Sequence, residues 1–260
     1  MSATRPAWSD AEAYRVSFAR LCAGAVDELL DALPAGETLL DVGNGTGSVL
    51  AGAVDRGWDA VGVDPAPEML RLARAAVPSG RLREAGLPEL PFDDSSFDAV
   101  TANFVVNHLR DPRGGVRELA RVAKPTGAVA FTVWPSATST MNRLWNEVMS
   151  AAGVPPAAGS RLPPQADFER TPTGVGRLFQ DGGLVVDRTT ELSWTFSIAP
   201  AELWVGVEGG IGTIGQTYLR STRTEQERLT AAYRDLAEPG ADGRLHLETV
   251  AVLAVGHPAP

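Results

Sequence analysis

The sequence predicts an α/β fold, a doubly wound and mostly parallel sheet covered by helices on both faces. Three observations carry that expectation. Short apolar runs alternate with amphipathic helical stretches between Thr38 and Trp134, the pattern of strands buried on both sides. A glycine cluster sits where the first apolar run meets a helix. The 260 residues, 44% hydrophobic and 21% charged, supply enough apolar material for a sizeable core. Ligands in such sheets sit beyond the carboxyl ends of the strands.

From Asp10 to Leu33 the positions Tyr14, Phe18, Leu21, Cys22, Ala25, Val26, Leu29 and Leu30 recur at spacings of three and four. They predict one amphipathic helix, with Ser9 as its cap and Pro34-Ala-Gly36 as its end. Strands follow at Thr38–Val42, Ala60–Val63, Arg81–Ala85 and Phe97–Ala102, with helices at Ser48–Arg56 and Pro67–Ala76 between them. A helix at Arg113–Val122 closes on Lys124-Pro-Thr-Gly127, before an apolar strand at Ala128–Trp134. Beyond Trp134 the texture turns irregular, with helical patches at Met141–Ala152 and Thr173–Asp181. Leu184–Phe196 and Leu245–Val255 read as a sixth and a seventh strand, the latter entered through the turn signal Asp242-Gly243. The long stretch Pro200–Leu236 between them reads as a lid or a substrate wall.

The formal charge of -9 repels phosphate backbones and anionic lipid. No nucleic-acid partner and no membrane association are expected. The basic residues, arginine except for Lys124, are scattered without interleaved aromatics and read as solvated faces. Cys22, the single cysteine, reads as a buried structural thiol. The start MSATRPAWSD lacks a basic region followed by an apolar one, and no apolar run approaches the ~18 residues that span a bilayer. These features predict a cytoplasmic protein.

In Leu39-Leu-Asp-Val-Gly-Asn-Gly-Thr-Gly-Ser48 the glycines fall at 43, 45 and 47. Without Cβ atoms the backbone turns tightly and its amides stay open to a ligand. A dinucleotide fingerprint needs G-x-G-x-x-G, and counted from Gly43 its third glycine position holds Ser48. The phosphate-loop pattern fails as well, because no Gly-Lys-Ser/Thr follows. Asp64 closes the run Val61-Gly-Val63, so it projects from the carboxyl end of the next strand, where a carboxylate can accept both ribose hydroxyls. Together these features describe a site for a nucleoside without an essential pyrophosphate.

Leu39-Leu-Asp-Val-Gly-Asn-Gly-Thr-Gly47 resembles motif I of class I S-adenosylmethionine-dependent methyltransferases, and Val61-Gly-Val-Asp-Pro-Ala-Pro-Glu-Met-Leu70 their second-strand motif. Leu87–Asp98, Ala102–Pro112 and Glu118–Gly127 are similar, in order, to the family's Leu-Pro-Phe segment, its segment after strand four and its approach to strand five. The resemblance covers roughly 27–135. It implies a Rossmann-like doubly wound seven-stranded sheet, last strand antiparallel, with helical lid insertions. The expected organisation is a helical cap at 1–36, a cofactor-binding core at 37–135, and sheet strands with a substrate lid at 136–260, one domain in all.

By that resemblance Gly43, Gly45 and Gly47 would pass under the methionine moiety of S-adenosylmethionine, and Asn44 would also belong to the cofactor site. Asp41 would support the loop and the ammonium, although it could instead only brace the turn. Asp64 would hold the ribose, Met69 would flank the adenine, Asn103 would meet the cofactor near its amino-acid end, and Pro65 would also belong to the cofactor site. The pattern departs at Gly86, where relatives carry an aspartate for the adenine amino group; Glu84 or the backbone around Leu87 would substitute.

For the chemistry, His108 is the histidine nearest the expected site, as a general base or a packing residue, with Asn107 as the alternative residue facing the substrate. Tyr14 and Phe18 read either as core or as a helix closing over the cofactor. Trp8, Phe104, Trp134, Met141, Trp145, Trp204 and Tyr218 would form an apolar pocket if the lid folds back, or simply a core. No metal is expected, since no histidine pairs or clustered carboxylates occur at ligand spacing. The reading is methyl transfer to an O, N or C atom of a small, apolar or aromatic metabolite. The alternative is a protein of the same fold that holds the cofactor for cyclisation, isomerisation or sensing.

Overall fold

The computed structural model describes residues 10–137, 139–157 and 162–259, so Trp8 and the Ser9 cap lie outside the described residues. The described residues divide into two compact units: those within Met1–Leu21, Ala137–Arg161 and Trp194–Thr249 form the first, and those within Cys22–Ser136, Leu162–Ser193 and Val250–Pro260 the second.

The sheet has seven strands: β1 (Thr38–Val42), β2 (Asp59–Asp64), β3 (Arg81–Glu84), β4 (Phe97–Asn103), β5 (Ala123–Val133), β6 (Leu184–Ile198) and β7 (Leu245–Pro258). Their order is β3-β2-β1-β4-β5-β7-β6, parallel from β3 to β5, with β7 antiparallel to β5. Side chains alternate between two buried faces, as the period of two requires. Leu40, Val100, Val129, Phe131, Val252 and Ala254 point into a core shared with helices α6 (Pro112–Val122) and α8 (Pro172–Asp181). Leu39, Ala99, Ala130 and Leu253 point into the opposite core, against α3 (Val26–Asp31) and α4 (Ser48–Asp55). Helix α5 (Pro67–Ala76) follows β2.

The single helix expected over Asp10–Leu33 is three short ones, α1 (Ala11–Val16), α2 (Phe18–Ala23) and α3. Ser17 marks the first break: its hydroxyl donates to the Ala13 carbonyl at 2.5 Å and its backbone leaves helical angles, the competition with the helix ladder that serine hydroxyls offer. Asp10, with its carboxylate accepting from the Ala13 amide, is the cap. Lys124–Gly127, expected as a turn, lies inside β5 as a bulge: Phe97 pairs with Ala123 but Ala99 with Ala128. Gly127 is required there, because a Cβ would stand 2.8 Å from the Asp98 carbonyl oxygen.

In the first unit, helices α7 (Thr140–Ala152), α9 (Pro200–Glu208), α10 (Gly212–Arg220) and α11 (Arg223–Leu236) pack around aromatic rings. Tyr233 is stacked between Trp145, at 5.5 Å, and Trp204, at 4.7 Å, while Tyr218 meets Trp204 edge-on. Among the described residues no helix is long and apolar enough to cross a membrane, and no group of three or more His, Cys, Asp or Glu could hold a metal ion.

Candidate functional site

The two faces of the sheet part company at its carboxyl end. One stays apolar through Val42, Ala102 and Val133. The other turns polar after Leu39, Ala99 and Ala130: the next residues on that face are Asp41, Thr101 and Thr132, followed on β4 by Asn103. Asp41, Thr101 and Thr132 are buried, so each polar atom there needs a partner. Thr132 donates to the Asn103 side-chain oxygen at 2.6 Å and accepts the Phe104 amide, and the Asn103 amide group donates to the Cys22 carbonyl at 3.0 Å. Asn103, expected at the cofactor's amino-acid end, therefore spends both ends of its side chain tying β4 to β5 and α2.

Asp41 is less well served. Thr101 donates to its Oδ1 at 3.2 Å, and its Oδ2 has no partner. Burial pushes its pKa up to about 7, with help from the Asp64 charge and against the hydrogen bonds of Thr101 and of the Leu50 backbone at the start of α4. The loop that follows carries Gly43, Gly45 and Gly47 at φ of 69°, 54° and 94°, a conformation glycine adopts without steric cost. At Gly43 a Cβ would also collide with Val105, and at Gly47 it would press on Ala73 at 3.3 Å. Asn44 is buried, with its backbone amide on the Val63 carbonyl at 2.9 Å.

Asp64 ends β2 as expected, and its carboxylate already works on the loops. Oδ2 accepts the Gly45 amide at 2.9 Å and Oδ1 the Ala66 amide at 2.8 Å. Burial raises its pKa and those two amides oppose the rise. Met69 is buried on α5, and a Cβ at Gly86 would crowd the Pro65 ring at 3.2 Å, so a larger residue at 86 would have to displace it. Leu87 is half-buried and Glu84 exposed.

Two of the ordered motifs serve each other. Glu118 on α6 accepts the Leu90 amide at 2.6 Å, and Arg121 donates to the Leu90 and Phe92 carbonyls and to Asp94. The Glu118-Leu-Ala-Arg121 segment is thus a clamp on Leu-Pro-Phe. Asn107 is likewise engaged: its Oδ1 accepts the Trp134 amide at 3.0 Å, which helps hold the Trp134 ring stacked on Phe104 at 3.8 Å. Phe104 has φ of 58°, unusual for a bulky residue. His108 is exposed; partial loss of hydration and the Arg170 charge lower its pKa, leaving a neutral imidazole at pH 7.

The apolar residues expected in one pocket divide between the units. Phe104 and Trp134 belong to the second, while Tyr14, Phe18, Trp145, Trp204 and Tyr218 belong to the first. There Phe18 lies against α9, where a Cβ on Gly206 would stand 3.0 Å from its ring. Thr101, Gly62 and Tyr233 were not singled out from the sequence. Gly62 carried a usable signal, since an isolated glycine inside a strand marks a close approach.

Residues 40–131 match the methyltransferase domain family. An uncharacterized methyltransferase of Mycobacterium tuberculosis is 43% identical over 110 residues, 42% of this chain and 44% of that protein. A demethylmenaquinone methyltransferase of Chlorobaculum tepidum is 40% identical over 98 residues, 37% of this chain and 40% of the relative. The chain thus spans less than half the length of the curated relatives it matches. Two solved structures share the fold over most of the chain. They are the YcgJ protein of Bacillus subtilis, with a TM-score of 0.57 at 19% identity, covering 92% of this chain and 98% of that one, and geranyl diphosphate C-methyltransferase of Streptomyces coelicolor, with 0.54 at 18%, covering 93% and 80%. The sheet order, the glycine loop and these matches define a Rossmann-like methyltransferase domain. Residues 40–131 are thus similar to class I methyltransferases, and two solved structures of the same fold are complexes with S-adenosylhomocysteine and with S-adenosylmethionine.

Proposed function

We propose that the protein transfers the methyl group of S-adenosylmethionine to a small, apolar or aromatic metabolite. The observation that carries this reading is Asp41, a buried carboxylate with an unpartnered oxygen at the carboxyl end of β1, followed along the chain by three glycines in left-handed conformation. A buried acceptor left without a donor suits a ligand that brings one. Such a site fits the ammonium of the cofactor's methionine moiety, with Gly43, Gly45 and Gly47 baring the loop beneath it. Each carboxylate oxygen accepts two hydrogen bonds, so Asp64 keeps a lone pair on each oxygen for the ribose after serving Gly45 and Ala66. Met69, Pro65 and Leu87 would border the adenine, and with Gly86 in place of an aspartate the adenine amino group would rely on backbone partners.

When bound, S-adenosylmethionine supplies a methyl group already activated on a sulfonium. The chain's share is to orient and to exclude water, and orientation alone reaches effective molarities up to ~10⁵–10⁸ M in favourable cases. A dedicated base is optional for an acidic acceptor. Asn107 acts here as the residue that positions Trp134, and His108 is left as the neutral imidazole nearest the site. The rings of Phe104 and Trp134 favour an apolar acceptor, and so does the name of one similar protein, a demethylmenaquinone methyltransferase.

Isothermal titration with S-adenosylmethionine, S-adenosylhomocysteine and NAD in parallel tests the reading. The first two should bind and NAD should not. Binding of NAD, or of nothing, removes it, and binding that never yields demethylated cofactor with any acceptor turns it towards a sensing or structural use.

A further inference from the structure

A cavity of about 510 Å³ opens in the second unit at the amino end of β5, the end of the sheet opposite the glycine loop. That is the size of a small-ligand site. Its walls are apolar at Leu33, Pro34, Pro125 and Val255, and its charged lining comes from β6 and β7 through Asp187, Arg188 and His257. β6 is the edge strand beside β7, and its alternation slips by one residue at this cavity. Leu184 and Val186 pack in the core shared with α8. Thr189 lies on that side as well, with its methyl 3.6 Å from where a Cβ on Gly176 of α8 would stand. Leu192 instead packs in the opposite core, as Val255 does. With 186 and 189 on one face, Asp187 and Arg188 are both left on the other. Two consecutive side chains on one face are the signature of a bulge, which re-aims a side chain and disrupts the ladder locally. A strict period of two would have turned Arg188 towards α8.

The two charges brought there are not equally engaged. His257 takes up Asp187, with Nδ1 at 3.0 and 3.1 Å from the two carboxylate oxygens. Arg188 has no ion-pair partner among the described residues. The charge left to be answered is therefore positive, in a chain whose formal charge is -9. We propose that this cavity is a second ligand site, which takes a small carboxylic acid with an aromatic or apolar body. The carboxylate meets the Arg188 guanidinium, whose planar fork of N–H groups matches two carboxylate oxygens. The body lies against Leu33, Pro34, Pro125 and Val255. Neither part of the site depends on the cofactor reading.

Titration of the full chain with benzoate, and with benzamide as its neutral isostere, followed by amide nuclear magnetic resonance, tests the proposal. Benzoate should shift the Gly127, Ala128 and His257 amides saturably, and benzamide should bind about tenfold more weakly, the loss of a charged hydrogen bond. Acetate, which lacks the body, should also bind more weakly than benzoate. Arg188→Gln should weaken benzoate about tenfold, whereas Arg177→Gln, at an exposed arginine of α8, should leave it unchanged. The proposal is overturned by the absence of saturable shifts at those amides, by equal binding of benzamide, or by an Arg188→Gln variant that binds benzoate as before. The bulge would then serve only to blunt the edge strand against pairing with other chains.

Discussion

Asp98 and Asp41 sit at opposite ends of the same pair of central strands, and their surroundings are opposed in every respect. Asp98, at the amino end of β4, accepts the Glu37 and Thr38 amides and the Thr38 hydroxyl on one oxygen, and Lys124 Nζ at 2.7 Å on the other. Lys124 and these donors hold its pKa well below the usual carboxylate range. Asp41 has the Thr101 hydroxyl on one oxygen, a weaker contribution from the Leu50 backbone and no cation, and burial holds its pKa near 7. A carboxylate that stabilises the fold has its hydrogen bonds completed by the chain. One kept for a ligand is left incomplete, at a cost the rest of the domain must offset.

The contrast breaks most directly at Asp41. Asp41→Asn should weaken S-adenosylhomocysteine about 10- to 100-fold, the value of a charged hydrogen bond at a buried site, read by calorimetry. The same substitution should alter how stability depends on pH. Because Asp41 holds its proton more tightly folded than unfolded, its contribution is fully present below pH 3.8 and is lost as pH rises through about 7. Melts of the ligand-free protein should therefore lose that decline in Asp41→Asn. Asp98 has the opposite sign: its lowered pKa contributes stability above pH 3.8 that is lost as pH falls further.

Asp98→Ala should cost about 1–3 kcal/mol in denaturant unfolding through the donors it leaves unpaired, while S-adenosylhomocysteine affinity stays within about twofold. A loss of affinity there instead would mean that the two ends of the strands are coupled. The smallest effect concerns His108. Its imidazole should titrate below the ordinary 6.5 by nuclear magnetic resonance, and Arg170→Gln should move it upward by removing the like charge. A titration at or above 6.5 would show the ring fully hydrated and better suited to act as a base.

The positions of Asp41, Asp64 and the three glycines were legible because each depends on chain neighbours only. A strand end, a turn and a helix start lie within ten residues, and the period of two tells which residues share a face. The long helix over Asp10–Leu33 was misread because apolar spacing carries no record of Ser17 turning its hydroxyl back on Ala13. The hydrogen-bond partners of Asn103 and Asn107 were not legible because those groups, on Cys22, Thr132 and Trp134, lie 27 or more residues away.

By itself the sequence determined the alternating α/β order, the strand end that carries the glycine loop, and the residues that could meet a nucleoside, since these follow from local propensity and periodicity. Which of those residues are already satisfied was decided only by the tertiary structure. It brought Thr101 to one oxygen of Asp41 and left the other empty, put the Gly45 amide on Asp64, and seated Asn44 over Gly62. Hydrogen-bond satisfaction and the pKa that follows from it depend on which distant strands pair, and pairing is a property of the folded sheet.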